Sequence, residues 1–148
     1  MVPHILLVED DKTLRYLIAD ALSLMDARVT ECATADDALV VLLGMKTGVA
    51  IDLLLTDIRM PGELDGYDLA KAVWAKWPLI PVILMSGNRL VSTELLPPHS
   101  SFMAKPWTLD QLFEAVERHL GKRDPKIKTT TPLEHVPQSL DALLIKAM

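Results

Sequence analysis

Short apolar runs alternate along this chain with stretches of helical spacing, and most of the runs stop at a polar or charged residue. Ile5 to Val8 runs into Glu9-Asp10-Asp11, and Leu53 to Leu55 leads through Thr56 to Asp57. Pro81 to Met85 ends at Ser86-Gly87-Asn88, and Phe102 to Ala104 ends at Lys105-Pro106. Arg28 to Cys32 is a more polar run, suited to a sheet edge. Runs of this length with these flanks read as strands.

Between them the apolar positions fall at helical spacing. A first helix runs from Lys12 with Leu14, Leu17, Ile18, Ala21, Leu22 and Met25 on one face. A second opens at Thr34 with Asp36 and Asp37 in its first turn, where the helix dipole favours acids. Its face continues through Ala38, Leu39, Leu42 and Leu43 until Gly44 and Gly48. Leu69, Ala70, Val73 and Trp77 make a third, closed by Pro78. Thr108 and Gln111 have capping-box spacing and open a last helix, with Leu112, Val116 and Leu120 as its stripe and Gly121 as its end. The stretch from Arg89 to Ser101 is less regular, with room for one or two helical turns before Pro97-Pro98 stops them.

Strands alternating with helices imply a parallel sheet covered on both faces, an α/β fold. Residues 1–121 form the domain, and residues 122–148 form a linker and C-terminal tail. Pro125, Pro132 and Pro137 mark the linker, while Leu140, Leu143, Leu144 and Ala147 recur at helical spacing. That tail segment is either a helix packing on the domain or unordered, or else a helix that binds a partner or a second copy.

Composition narrows the function. The 148 residues are 50% hydrophobic and 24% charged, enough for one core, and the net charge of −5 argues against direct nucleic-acid binding. Cys32 is the one cysteine, which excludes an internal disulfide and fits a reducing compartment. With Val29 and Ala33 near it, it reads as a core residue. No apolar run approaches the ~18 residues of a membrane span. The N-terminus lacks the basic region of a signal peptide, so the expected location is cytoplasmic.

In a parallel sheet the strand ends share one edge, where ligands bind. Glu9, Asp10 and Asp57 can therefore converge, with Ser86 and Lys105 beside them. Two carboxylates about 5 Å apart repel by roughly 3 kcal/mol at an effective dielectric of 20. Three of them require a compensating cation: Lys105, or a divalent ion that all-oxygen ligands would make Mg²⁺. Such a set suits a phosphoryl group, whose oxygens the cations neutralise while a carboxylate attacks phosphorus.

With these residues in order, the chain resembles the receiver domain of two-component response regulators, over residues from about 4 to 121. The resemblance rests on Leu7-Val8-Glu9-Asp10, on Asp57 followed by Met60-Pro61-Gly62 and Asp65-Gly66, on Ser86-Gly87 and on Lys105-Pro106. It implies a flavodoxin-like, doubly wound five-stranded parallel sheet of order 2-1-3-4-5; the short segment with Pro97-Pro98 would make the fourth helix short or irregular in this chain. It also implies that Asp57 is the phosphoacceptor, taking its phosphoryl group from a histidine kinase or histidine phosphotransfer protein. Asp10, Asp57 and the main-chain carbonyl of Arg59 would bind Mg²⁺ directly, and Glu9 would act mainly through a metal-bound water. Lys105 would pair with the phosphoryl group and Ser86 would move to hydrogen-bond it. Phe102 matches the aromatic switch position, and Arg59 and Asn88 fall at flanking positions that affect phosphoryl lifetime.

The resemblance departs in two places. The loop from Pro61 to Gly66 is one residue longer than the common form, and the segment from Ser86 to Lys105 is shorter than usual, which puts the usual dimer geometry in doubt. The expected function is a stand-alone phosphoacceptor signalling domain that switches contacts with a downstream protein target, with a homodimer left open. It would not be a turnover enzyme, beyond self-catalysed phosphotransfer and dephosphorylation. The alternatives are a receiver-like interaction module working without phosphate, or the receiver part of a hybrid kinase. An aspartyl-phosphate phosphohydrolase would want an acid two residues after the nucleophile, where this chain has Arg59. A nucleotide-binding protein would want a glycine-rich phosphate loop, which is absent.

Overall fold

A computed structural model describes residues 2–45, 50–87, 96–121 and 138–148. Five strands, β1 (His4–Val8), β2 (Arg28–Cys32), β3 (Leu53–Asp57), β4 (Val82–Ser86) and β5 (Ser100–Ala104), form one parallel sheet in the order β2-β1-β3-β4-β5. This is the expected 2-1-3-4-5 order. The helices are α1 (Lys12–Ser23), α2 (Ala35–Leu43), α3 (Gly66–Lys76), α4 (Leu109–Leu120) and α5 (Gln138–Ala147).

The central strands read as unbroken apolar runs because both of their faces are covered. Ile5, Leu7, Leu53, Leu55, Ile83 and Met85 point to one side, into a core shared with α1, α4 and α5. Leu6, Val8, Leu54, Val82 and Leu84 point to the other, against α2 and α3. Cys32 is buried in this second core, as expected.

Each helix that follows a strand starts on a cap. Asp11 accepts from the Leu14 amide at 2.9 Å, and Thr34 accepts from Asp37 at 3.0 Å. Asp65 with Asp68, and Thr108 with Gln111, make complete capping boxes. The caps of α1, α2 and α4 let those helices begin within a few residues of the strand ends, whereas α3 follows β3 after the loop 58–65.

Three boundaries differ from the sequence reading. α1 stops at Ser23 rather than reaching Met25, because Asp26 takes a positive φ of 57° and reverses the chain. Met25 is still buried, but from the turn. β4 begins at Val82, and Pro81 contributes its carbonyl to the Leu54 amide at 2.9 Å. β5 begins at Ser100, ahead of Phe102, because it pairs with Val82 to Ser86 along its whole length. The expected short fourth helix falls largely, and the linker 122–137 wholly, outside the described residues.

The tail segment is α5, and it packs on the domain. Leu140 and Leu144 are buried in the α1/α4-side core, while Leu143, at the margin of that stripe, is 50% exposed. Leu144→Ala therefore costs about 2–5 kcal/mol of stability, and Leu143→Ala stays within about 0.5 kcal/mol. Urea denaturation of the two variants checks this. Equal, small effects would mean that α5 does not contribute to the fold.

Candidate functional site

The site is built at the carboxyl edge of the sheet. β1 ends into Glu9-Asp10, β3 ends on Asp57, β4 ends on Ser86, and β5 delivers Lys105 one residue past its end. The parallel register aligns these ends: Val8 lies opposite Thr56, Asp57 opposite Met85, and Ser86 opposite Ala104. The Lys105 amide then donates to the Ser86 carbonyl at 2.9 Å, extending the ladder by one bond. The Lys105-Pro106 peptide is cis.

Carboxylate oxygens of Glu9, Asp10 and Asp57 lie within 4.8 Å of one another. Glu9 is 1% exposed and Asp57 7%, while Asp10 faces solvent. The Lys105 Nζ donates to Asp57 Oδ2 at 3.0 Å and to Glu9 Oε1 at 3.3 Å. Glu9 Oε2 accepts from the Asp11 amide at 3.2 Å. One ammonium thus bonds two carboxylates of a cluster of three.

The proton affinities follow from that imbalance. Burial raises Glu9 from its ordinary 4.5 to about 7, helped by a hydrogen bond with the Asp10 side chain and only partly opposed by Lys105. Burial also raises Asp57, against the lowering pull of Lys105. Burial works against the Lys105 ammonium, but Asp57 and Glu9 outweigh it and its value rises. The edge is short of positive charge. A hard divalent cation fits an all-oxygen donor set of this kind. Glu9, Asp10 and Asp57 are the residues that could hold it.

Three further residues shape the site: Arg15 and Thr56, given no role from the sequence, and Gly66, noted there only within the Asp65-Gly66 motif. Arg15, one turn beyond the cap of α1, donates from Nη1 to the Glu9 carbonyl at 2.7 Å and lies 3.6 Å from the Glu31 carboxylate. Its signal was a base on the helix face between Leu14 and Ile18. Thr56 is fully buried and its hydroxyl donates to the Asp57 carbonyl at 3.0 Å. Gly66 opens α3 directly over β3: a Cβ there would sit 1.7 Å from the Asp57 carbonyl oxygen, and the Gly66 amide donates to the Ile58 carbonyl at 2.7 Å. Only a glycine lets α3 approach so closely.

The other sequence candidates fall as follows. Ser86 is buried at the site edge. Phe102 is half-buried and packs toward the α2/α3-side core. Asp11 is a helix cap, as expected. The Arg59 side chain is exposed two residues beyond Asp57. Asn88 lies outside the described residues. Trp107, read as a packing or surface aromatic, is buried at 1% exposure.

A family model of the response regulator receiver domain matches residues 5–117, which span all five strands and this whole edge. The chain belongs to that family. As a receiver domain it is 29% identical to the response regulator protein FleR of Pseudomonas aeruginosa, over 99% of this chain and 31% of FleR. The chain therefore spans about a third of that relative's length. Among solved structures, a response regulator receiver protein from Sinorhizobium medicae is 29% identical with a TM-score of 0.73, covering 83% of this receiver and 98% of that chain. The response regulator TrrA of Thermotoga maritima, solved with Mg²⁺-BeF, shares the fold at a TM-score of 0.69 and 23% identity, covering 79% of this receiver and 98% of that chain.

Two outcomes follow from the geometry. Gly66→Ala cannot keep α3 in place and costs about 3 kcal/mol, whereas Gly87→Ala, with nothing within 4 Å of its added Cβ, stays within about 0.5 kcal/mol. Urea melts of both variants check the contrast, and equal losses would contradict it. The second outcome concerns pH. Because Glu9 is raised in the folded state, folding takes up a proton, and the stability this group contributes below about 4.5 is lost as pH rises through about 7. A divalent cation needs the carboxylate, so its affinity climbs with pH through about 7. Titration calorimetry of Mg²⁺ at several pH values measures the slope, with Glu9→Gln expected to flatten it. A parent affinity that ignores pH would contradict the placement of Glu9.

Proposed function

We propose that this receiver domain takes a phosphoryl group onto Asp57 from a phosphohistidine of a histidine kinase or phosphotransfer protein, with Mg²⁺ bound beside it, and so switches contacts with a downstream protein. The observation that carries this reading is the Asp57 carboxylate at the bottom of an acidic edge, with Lys105 Nζ 3.0 Å from its Oδ2. One carboxylate oxygen is held by the ammonium, which orients the group for in-line attack by the other. That oxygen forms the new bond to phosphorus as the bond from phosphorus to the donor imidazole nitrogen breaks. The electron pair leaves with the imidazole, which takes up a proton.

Each residue then has a task. Lys105 stays with the phosphoryl oxygens, and its raised proton affinity keeps it an ammonium across neutral pH. Ser86, at the end of β4, supplies a hydroxyl to a phosphoryl oxygen, and Phe102 on the neighbouring strand responds to its shift. Asp10 and Asp57, with the Arg59 main-chain carbonyl, would ligate Mg²⁺, and Glu9 would hold a water of the metal. The ion supplies charge neutralisation for the incoming phosphoryl oxygens. The side chain of Arg59, two residues past the nucleophile, is no general acid, which favours a phosphoacceptor over a phosphohydrolase. The reaction ends with the protein itself modified, so the domain is not a turnover enzyme. We place its action in the cytoplasm, because a single buried thiol fits a reducing compartment.

Intact-mass spectrometry after incubation with Mg²⁺ and acetyl phosphate tests the proposal. One phosphoryl group is expected on the parent and none on Asp57→Asn. Equal incorporation in the two proteins would overturn the assignment of Asp57.

A further inference from the structure

α5 adds a contact at the site edge that lies outside the part matching the family, residues 5–117. Asp141 Oδ1 accepts from the Leu109 amide at 2.8 Å, across 32 residues of sequence. Leu109 is the first residue of α4, and only Pro106, Trp107 and Thr108 separate it from Lys105.

A helix start leaves four amide groups without partners inside the helix. At α4 the Thr108 amide is taken by Gln111 Oε1 at 2.8 Å and the Gln111 amide by Thr108 Oγ1 at 3.2 Å. The Leu109 amide is satisfied from outside, by Asp141. The carboxylate also meets the positive end of the α4 dipole, where a negative charge is favoured. The contact is anchored on both sides. Leu140 and Leu144 flank Asp141 in the buried α5 stripe, and Trp107 and Leu109 belong to the same core.

The turn that carries Lys105 is thus pinned at both ends: by its amide on the Ser86 carbonyl before the turn, and by Asp141 on Leu109 after it. We propose that Asp141 is a positioning residue for phosphoryl transfer, acting through the α4 start to hold Lys105 against Asp57. This rests on the phosphoacceptor reading above. It makes the C-terminal helix part of the reaction's machinery rather than a tail.

The test compares full-length Asp141→Ala, Asp141→Asn and Leu144→Ala with the parent. Asn keeps an oxygen for the Leu109 amide; Leu144→Ala loosens α5 by packing alone. Two quantities are read under conditions in which every variant is folded: hydrogen exchange at the Lys105 amide, and the rate of acyl-phosphate formation from acetyl phosphate at saturating Mg²⁺. Asp141→Ala is expected to speed that exchange and to slow phosphorylation by about tenfold, with Asn restoring most of both. Unchanged exchange or an unchanged rate in Asp141→Ala would overturn the proposal. So would an Asn variant as impaired as Ala; Leu144→Ala, which loosens the helix that carries Asp141, is expected to shift both quantities in the same direction as Asp141→Ala. A parent that takes no phosphoryl group would refute the phosphoacceptor reading instead, and the role of Asp141 in holding Lys105 would then be decided by the exchange data alone.

Discussion

Three carboxylates crowd one lysine at the edge of this sheet, and much of the structure exists to hold them there. Glu9 and Asp57 are buried beside Lys105, with Asp10 at the solvent side. Burial raises the proton affinity of both buried acids, so the edge is held at a cost in the absence of further positive charge. The surrounding core overrides that cost. Largely apolar, buried strands on both sides of Asp57 fix its backbone, and Gly66 lets α3 close over it. The result is a site whose electrostatics favour a divalent cation and whose Asp57 carboxylate is already held by Lys105.

Much of this was legible in the sequence. A parallel strand buried on both faces leaves an unbroken apolar run, and an acid after such a run stands out. That is why Glu9, Asp10 and Asp57 could be placed together before any coordinates. Lys105 was legible for the same reason, because the Phe102-Met103-Ala104 run stops on it. The Thr108 and Asp65 caps belong to patterns a few residues long, which need no tertiary information; the first was read, the second only as part of a motif.

What escaped the sequence depends on contacts between distant segments. Gly66 looks like an ordinary turn glycine until α3 is seen lying on the Asp57 carbonyl. Arg15 looks like a helix-surface base until its guanidinium is seen on the Glu9 carbonyl. The start of β5 at Ser100-Ser101 carries no hydrophobic signal, since an edge strand can be polar where it faces water; only its pairing with β4 defines it. The helical spacing of α5 was visible, but whether it would dock was not. That depended on the apolar seam beside α1 and on the bond from the Leu109 amide to Asp141.

The central claim is that this edge takes a cation and a phosphoryl group together at Asp57. The most direct measurement is a two-dimensional NMR titration with Mg²⁺ and then beryllofluoride, a mimic of the bound phosphoryl group. The account predicts saturable shifts at Glu9 to Asp11 and at Asp57 to Arg59 with the metal. Ser86 and Lys105 should follow once beryllofluoride is added. Shifts scattered over the surface acids, or a beryllofluoride response that leaves Asp57 and Lys105 untouched, would contradict it.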